Sequence, residues 1–115
     1  MSDGDLHESI LLYQSYCLQA LNRLNEAESI LKNALAQDMQ GLRADFFYRL
    51  GAVYLQKQNF AAAIDAFKNA ERYVTQGRIS LSDICMALSE TYKESGDLDS
   101  AEQYRHRAKS QNFIQ

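Results

Sequence analysis

The sequence predicts an all-α fold of three antiparallel helical hairpins, and three observations support this prediction. First, the 115 residues include no proline and five glycines, so the chain has few of the breaks that turn-rich architectures need. Second, apolar residues recur at helical spacing almost throughout the chain. Third, four positions keep the same residue character at intervals of 36 and 38 residues.

Six helices follow from the apolar spacing and from residues that favour helix ends. In the third helix, Phe47, Leu50 and Tyr54 fall at i, i+3 and i+7 on one face, as an amphipathic helix requires. The predicted helices span residues 5–21, 24–38, 42–57, 60–75, 80–94 and 98–112. They pair as hairpins over residues 5–38, 42–75 and 80–112.

Capping residues mark several of the predicted helix ends. Asn59 and Asp97 are predicted N-caps of the fourth and sixth helices, because their side chains can accept a hydrogen bond from an unpaired backbone N–H. We expect Gly77 just past the end of the fourth helix, in the left-handed conformation that favours glycine. Gly41 and Gly96 punctuate the chain in the same way.

The internal repeat aligns on Ala27, Ala63 and Ala101. Each of these is followed by a second alanine and preceded by a large and a small residue at fixed distances. These further positions are Ala34, Ala70 and Ala108, then Leu18, Tyr54 and Tyr92, then Ser15, Gly51 and Ser89. Small residues let the two backbones of a hairpin approach closely, and the large residue fills the remaining space. Because one hairpin cannot bury both faces, successive hairpins stack and share a core.

This pattern resembles the tetratricopeptide repeat family, whose signature is W-x2-L-G-x2-Y…A-x3-F…P. The middle hairpin carries it as Phe47, Leu50, Gly51, Tyr54, Ala63 and Phe67. The third hairpin carries Cys85, Leu88, Ser89, Tyr92 and Ala101, and the first carries Leu11, Ser15, Leu18, Ala27 and Leu31. The resemblance covers about residues 8–110, and it implies a right-handed superhelical array that binds other proteins.

The chain departs from the family pattern in three ways. The repeat intervals of 36 and 38 residues exceed the usual 34, which predicts lengthened turns around residues 38–42 and 76–81. Thr75 stands where the family has proline. Residues 110–115 leave little for the polar helix that usually ends such arrays. Three alternatives follow: the last hairpin caps itself, its exposed end associates with another surface, or the chain is a fragment of a longer array. The residues for capping are Arg105, His106, Arg107 and Lys109.

The resemblance also implies that the first helix of each hairpin lines a concave groove in which a peptide or helix of a partner lies. With Phe47 facing the core, a 100° rotation per residue places Arg49 on the opposite, groove-facing side, and the same phase extends to the other two hairpins. The predicted partner-binding residues are Leu12, Tyr13, Tyr16, Gln19, Asp45, Tyr48, Arg49, Ala52, Leu55, Gln56, Asp83, Met86 and Glu90.

This groove is predicted to change from aromatic, through the single central Arg49, to acidic. Tyr13 and Tyr16 either anchor a partner or pack against an N-terminal segment or a neighbouring helix. A subset of the family binds the C-terminal carboxylates of chaperones through Lys, Asn and Arg. The matching positions disfavour that ligand; they are Leu12, Tyr16, Arg49, Asp83 and Ala87.

The remaining residues indicate which functions and surroundings to exclude. His7 and His106 lie near opposite ends of the chain, and no glycine-rich phosphate loop occurs, so we predict no enzymatic activity, cofactor or metal. The net charge is −3, and the basic residues of the middle hairpin are scattered, which excludes nucleic acid as a predicted partner. No apolar stretch approaches the roughly 20 residues that span a bilayer. Cys17 and Cys85 are predicted to be reduced, buried thiols of a cytoplasmic protein.

The sequence thus predicts one domain over residues 1–115. Its leading functional hypothesis is a non-enzymatic module that binds a peptide or helix of another protein in the concave groove. The alternative is a structural domain that assembles with itself through the C-terminal hairpin.

Overall fold

The computed structural model describes residues 3–37 and 41–114, with side chains described for residues 6–37 and 41–110. All six predicted helices are confirmed, and their ends differ from the predicted ones by at most three residues. The helices are α1 (Asp3–Ala20), α2 (Leu24–Ala36), α3 (Arg43–Gln56), α4 (Phe60–Arg72), α5 (Leu81–Ser95) and α6 (Leu98–Ile114). Each helix packs against the next one in sequence, and α1 also contacts α3, as α3 contacts α5. The described residues thus form an all-α array of three hairpins.

The turn inside each hairpin has the same geometry in all three repeats. One residue of each turn has a positive φ: Asn22 at 61°, Gln58 at 64° and Gly96 at 95°. The next backbone N–H then donates to the carbonyl oxygen of the large repeat residue, at 2.8 Å to Leu18 and 2.9 Å to Tyr54 and Tyr92. This is the Schellman arrangement that closes helix ends. The geometry thus repeats even where the residue type at the turn does not.

The predicted N-caps are confirmed. The Asn59 side chain accepts a hydrogen bond from the Ala62 N–H at 3.3 Å, and Asp97 accepts one from the Ser100 N–H at 3.1 Å. Both caps satisfy donors that the first turn of a helix leaves unpaired.

Two apolar clusters hold the hairpins together. The first lies between α2 and α3, and it includes Ala27, Leu31 and Phe46. The second lies between α4 and α5, and it includes Phe67 and Ile84. The repeat alanines are at most 7% exposed in every hairpin, so helices of adjacent hairpins approach closely and share these cores.

The core-facing aromatic residue of α3 differs from the predicted one. Phe46 is fully buried at 0% exposure, whereas Phe47 is half-buried and stacks on Tyr73, with ring centroids 5.7 Å apart. The reason is that α3 is covered on two sides: Phe46 faces α2 of the preceding hairpin, and Phe47 faces α4 of its own. A single stripe of apolar residues therefore describes only one of the two buried faces of this helix.

The prediction that Gly77 adopts a left-handed conformation is wrong. Helix α4 ends at Arg72, five residues earlier, and Gly96 is the glycine with positive φ among the described residues. Gly77 instead lies against the start of α3, where a Cβ atom would stand 2.9 Å from the Ala44 Cβ and would overlap the Asp45 carboxylate. Glycine is needed there because the lengthened turn folds back onto α3.

The cysteine prediction is right for one residue and wrong for the other. Both thiols are free, and Cys85 is buried in α5, where burial raises the pKa of its thiol. Cys17 is exposed on α1. It occupies the repeat position of the buried Val53, but no helix covers that side of α1 in the part of the chain that is described.

Two of the predicted capping residues of the last hairpin form ion pairs in the described part of α6. Arg105 pairs with Glu102 on the same helix, and Arg107 pairs with Glu71 of α4. The pair of Arg105 lies within α6, whereas the pair of Arg107 attaches α6 to the preceding hairpin. Phe113 and Ile114, the apolar residues at its end, lie outside the described side chains.

Glu28 of α2 links the first two hairpins through a small charge network. Its carboxylate accepts hydrogen bonds from Lys57 Nζ at 2.8 Å and from the Tyr54 hydroxyl at 3.3 Å. It also forms an ion pair with Lys32 at 2.7 Å. The hydrogen bonds from Lys32 and Lys57 lower the pKa of Glu28 to about 2.

We expect Glu28→Gln to lower the free energy of unfolding by about 1 kcal/mol at pH 7. Because the folded-state pKa is lowered from 4.5 to about 2, this contribution is present above the unfolded pKa and is lost as the pH falls toward the folded one. Urea unfolding at several pH values should therefore show the difference between wild type and variant shrinking between those two values. Glu26→Gln, at an exposed ion pair of the same helix, is the matched control with the smaller effect. A Glu28 difference that persists unchanged down to pH 2 would contradict the network.

Candidate groove on the inner face of the array

Two cavities lie next to each other along the faces of α1, α3 and α5, and together they form the candidate groove. The N-terminal cavity has a volume of about 380 Å³ and lies between α1 and α3. The C-terminal cavity has a volume of about 820 Å³ and lies between α3 and α5. Both are open to solvent, as a surface for a polypeptide segment would be.

The N-terminal cavity is mainly apolar and aromatic. Leu12, Tyr13 and Tyr16 of α1 form one wall, and Leu42, just before α3, contributes to the other. Tyr13 is 71% exposed and Tyr16 is 52% exposed, so neither packs into the core of the described structure. Exposed tyrosines combine contact area with a hydrogen-bonding group, which suits them to anchoring a partner.

Arg49 stands at the junction between the two cavities. Its guanidinium carbon lies 4.8 Å from the Tyr16 ring centroid and 5.9 Å from that of Tyr48. It also donates a hydrogen bond to Gln19 Oε1 at 3.2 Å. The two rings and this hydrogen bond hold the positive charge in place between the cavities.

A chain of amide hydrogen bonds extends from Arg49 across the junction of α1 and α3. Gln19 Nε2 donates to Gln56 Oε1 at 3.1 Å, and Gln56 Nε2 donates to Asn22 Oδ1 at 3.3 Å. These two predicted site residues are therefore engaged with each other. Their hydrogen bonds connect α1 to α3 across the floor between these helices.

The C-terminal cavity is acidic. Asp83, Glu90 and Glu94 lie along one side of α5 and line it, and they form no ion pair with any described side chain. The two basic residues at its rim are Lys93 and Arg105, and the charge of Arg105 is balanced by Glu102. The cavity therefore has a net negative charge.

The charges around the C-terminal cavity affect the pKa of Tyr48. Its ring packs against Phe67 with centroids 5.5 Å apart, and its half-buried phenol lines the C-terminal cavity. Burial raises the pKa of Tyr48, and the nearby charge of Arg49 offsets part of that rise. The carboxylates of Asp83 and Glu90 raise the pKa further, because negative charges disfavour the phenolate.

Asp45 is the predicted site residue that lines neither cavity. Its carboxylate accepts a hydrogen bond from the Arg78 N–H at 2.8 Å, and the neighbouring Ala44 N–H donates to the Gln76 carbonyl oxygen at 3.0 Å. Both bonds attach the lengthened turn between α4 and α5 to the start of α3. Asp45 thus secures a turn in this structure.

The other twelve predicted residues line one cavity or the other. Sequence reasoning missed Arg78, whose side chain reaches the N-terminal cavity. The available signal was the 38-residue interval, which placed Arg78 in a lengthened turn but could not show that this turn folds back. It also missed Leu42, Gln58, Ser89 and Arg105 at the cavity rims.

Metal binding and membrane spanning are two further properties on which the described residues bear. No group of three or more His, Cys, Asp or Glu side chains there has an arrangement that could hold a metal ion. None of the described helices has the length and apolarity needed to cross a membrane.

Comparison with known proteins agrees with this architecture. The sequence model of the Tetratricopeptide repeat family matches residues 44–73 and 82–105, which lie in the second and third hairpins. No curated protein matches the chain.

The first hairpin has the same turn geometry and the same buried alanines as the two matched ones. Repeats of this kind are non-catalytic modules that generally mediate protein–protein interaction. With six helices in three stacked hairpins and two matched repeats, the chain belongs to the tetratricopeptide repeat family.

Proposed function

We propose that the chain binds a segment of a partner protein in its groove, and that this segment combines an apolar side chain with basic ones. The observation that carries the proposal is the pairing of an apolar and an acidic cavity on one surface, with Arg49 between them. The apolar side chain would occupy the N-terminal cavity. Basic side chains would face the carboxylates of the C-terminal cavity.

Arg49 supports an ordered arrangement of the partner. Its positive charge repels a basic side chain at the centre of the groove. The same charge repels a basic side chain in the aromatic cavity beside it. Asp83 and Glu90 attract that side chain at the other end. Because each cavity prefers different chemistry, the direction of the bound segment would be fixed as well as its composition.

The proposal is tested by selecting peptides from a random displayed library against the wild-type protein. We expect the selected peptides to combine an aromatic or aliphatic residue with Lys or Arg. Their affinity should fall as salt is raised, because exposed charges are screened. Selection of acidic peptides would contradict the proposal.

The selected peptides then allow matched variants to be compared by fluorescence polarisation. The double variant Asp83→Lys, Glu90→Lys should weaken binding at least tenfold, which corresponds to about 1.4 kcal/mol. The control is Asp65→Lys, Asp99→Lys, which changes the net charge equally at exposed positions that line neither cavity. Tyr16→Ala should weaken binding without loss of helicity. Equal losses in the groove and control variants would exclude the groove as the binding surface.

A further inference from the structure

Two arginines from different parts of the chain line the N-terminal cavity. Arg49 belongs to α3, and Arg78 belongs to the lengthened turn between α4 and α5. Among the described residues, no acidic side chain lines this cavity. Its charge is therefore opposite in sign to that of the C-terminal cavity, where Asp83 and Glu90 lie.

The folding of the lengthened turn onto α3 brings Arg78 close to Arg49. The Arg78 N–H donates to Asp45 Oδ2 at 2.8 Å, and Gly77 lets the turn approach the start of α3 closely. Asp45 and Arg49 are four residues apart in α3, about 6 Å along its axis and on the same side of the helix. Because the turn is attached through the backbone of Arg78, the side chain of Arg78 is left to line the cavity.

Neither arginine is neutralised by an ion pair within the described structure. Arg49 lies over the rings of Tyr16 and Tyr48 and donates to the amide oxygen of Gln19, all of which are uncharged groups. Arg78 forms no ion pair with any described side chain. A guanidinium group in this state is suited to a carboxylate, which accepts two parallel hydrogen bonds from it.

Glu8 is the acidic residue that shares a cavity with Arg78, but it lies outside the N-terminal cavity. A small neighbouring cavity of about 40 Å³ is lined by Glu8 and Gly41, and it shares Leu42 and Arg78 with the larger one. Glu8 is 6% exposed, and its Oε2 atom accepts no hydrogen bond from the described residues. A ligand in the N-terminal cavity therefore meets the two arginines and not this carboxylate.

We propose that the segment bound in the groove carries a glutamate or aspartate whose carboxylate lies between Arg49 and Arg78. This residue belongs to the segment already described, so the proposal rests on the proposed function. The apolar side chain of the segment packs beside it on Tyr13 and Tyr16, and the basic side chains face the C-terminal cavity. The partner segment is thus acidic at one end and basic at the other, which sets its direction by charge.

A double-mutant cycle between peptide and protein tests the proposal by fluorescence polarisation. Peptides selected on the wild type are acetylated and amidated at their ends, so that only side chains carry charge. Replacing the acidic residue of the peptide by its neutral amide should weaken binding to the wild type about fivefold at low salt. The same replacement should weaken binding to Arg78→Gln by no more than about twofold, because one partner of the carboxylate is missing.

Two further variants separate the charge of Arg78 from general effects. Arg78→Lys keeps the positive charge and should retain most of the preference for the acidic peptide. Arg72→Gln is the matched control, because Arg72 is exposed at the end of α4 and lines neither cavity. It changes the net charge as Arg78→Gln does and should leave the fivefold preference intact. Circular dichroism checks that all three variants remain helical.

Two results would overturn the proposal. One is the selection of peptides that have no acidic residue beside the apolar one. The other is an equal loss of affinity, on neutralising the peptide, for the wild type and Arg78→Gln. In both cases the double variant Asp83→Lys, Glu90→Lys would still weaken binding if the proposed function is right, so a failure of the carboxylate site is distinguished from a failure of the groove.

Discussion

Replacing Phe46 by Ala should lower the free energy of unfolding by roughly 3–5 kcal/mol, which is the usual range for removing a buried phenylalanine. Phe46 is 0% exposed, and it packs among Leu31, Ala34 and Leu50 between the first two hairpins. The substitution leaves a cavity in the part of the molecule where helices from two hairpins share one core. Because a domain of this size has a total stability of about 5–15 kcal/mol, the variant should be close to unfolding at 37 °C.

The neighbouring residue provides the control for this prediction. Phe47→Ala removes the same side chain from a half-buried position, where the main loss is the stacking on Tyr73. We expect a loss of roughly 1–2 kcal/mol. Urea denaturation followed by circular dichroism measures both. Equal losses of unfolding free energy for the two variants would mean that Phe46 and Phe47 stabilise the fold equally, which contradicts their different burial.

Replacing Gly51 by Ala should destabilise the protein, although alanine is the better helix former. A Cβ atom at this position would lie 2.6 Å from Phe67 Cε1 and 2.9 Å from its Cζ. The Phe67 ring is 1% exposed and packs against Tyr48 with ring centroids 5.5 Å apart, so a shift of the ring would disturb packed neighbours. Overpacking of this kind costs about 1–3 kcal/mol, which exceeds the roughly 1 kcal/mol gained from helix propensity. Thermal and urea unfolding should show a net loss of about 1 kcal/mol.

A compensating substitution tests the cause of this loss. Phe67→Leu removes part of the ring that the new methyl group would strike. In the double variant the two effects should therefore be less than additive, with a coupling of about 1 kcal/mol. Full additivity would mean that Gly51 is needed for some reason other than its distance from Phe67.

The helices and their pairing could be predicted from the sequence because they depend on local and periodic signals. Asn59 and Asp97 cap helices through their own side chains, and the buried alanines recur at intervals that the sequence displays directly. The missed detail at Phe46 has a physical cause as well. One stripe of helical spacing defines one buried face, and α3 has two.

The residues of the candidate groove could be predicted from the sequence, but its separation into two cavities could not. Twelve of the thirteen predicted residues line a cavity, since the repeat fixes which side of α1, α3 and α5 faces inward. That Arg49 separates two cavities depends on the Tyr16 and Tyr48 rings, which are contributed by different helices. Asp45 holds the turn through the backbone N–H of Arg78, which is 33 positions away in the sequence. A local pattern does not show that contact.

The sequence by itself determined that this protein has six helices paired in three hairpins, and it determined the family to which the repeats belong. Those properties follow from periodic spacing, caps and small residues, all of which act over a few turns of helix. Only the tertiary structure decided that Arg49 divides the groove, that Gly77 serves a close approach and that Cys17 is exposed. These features depend on which helix, if any, packs on a given face. That information is absent from a local pattern: Cys17 and Val53 share one repeat position, and Val53 is buried because a helix of another hairpin covers it, whereas Cys17 is exposed.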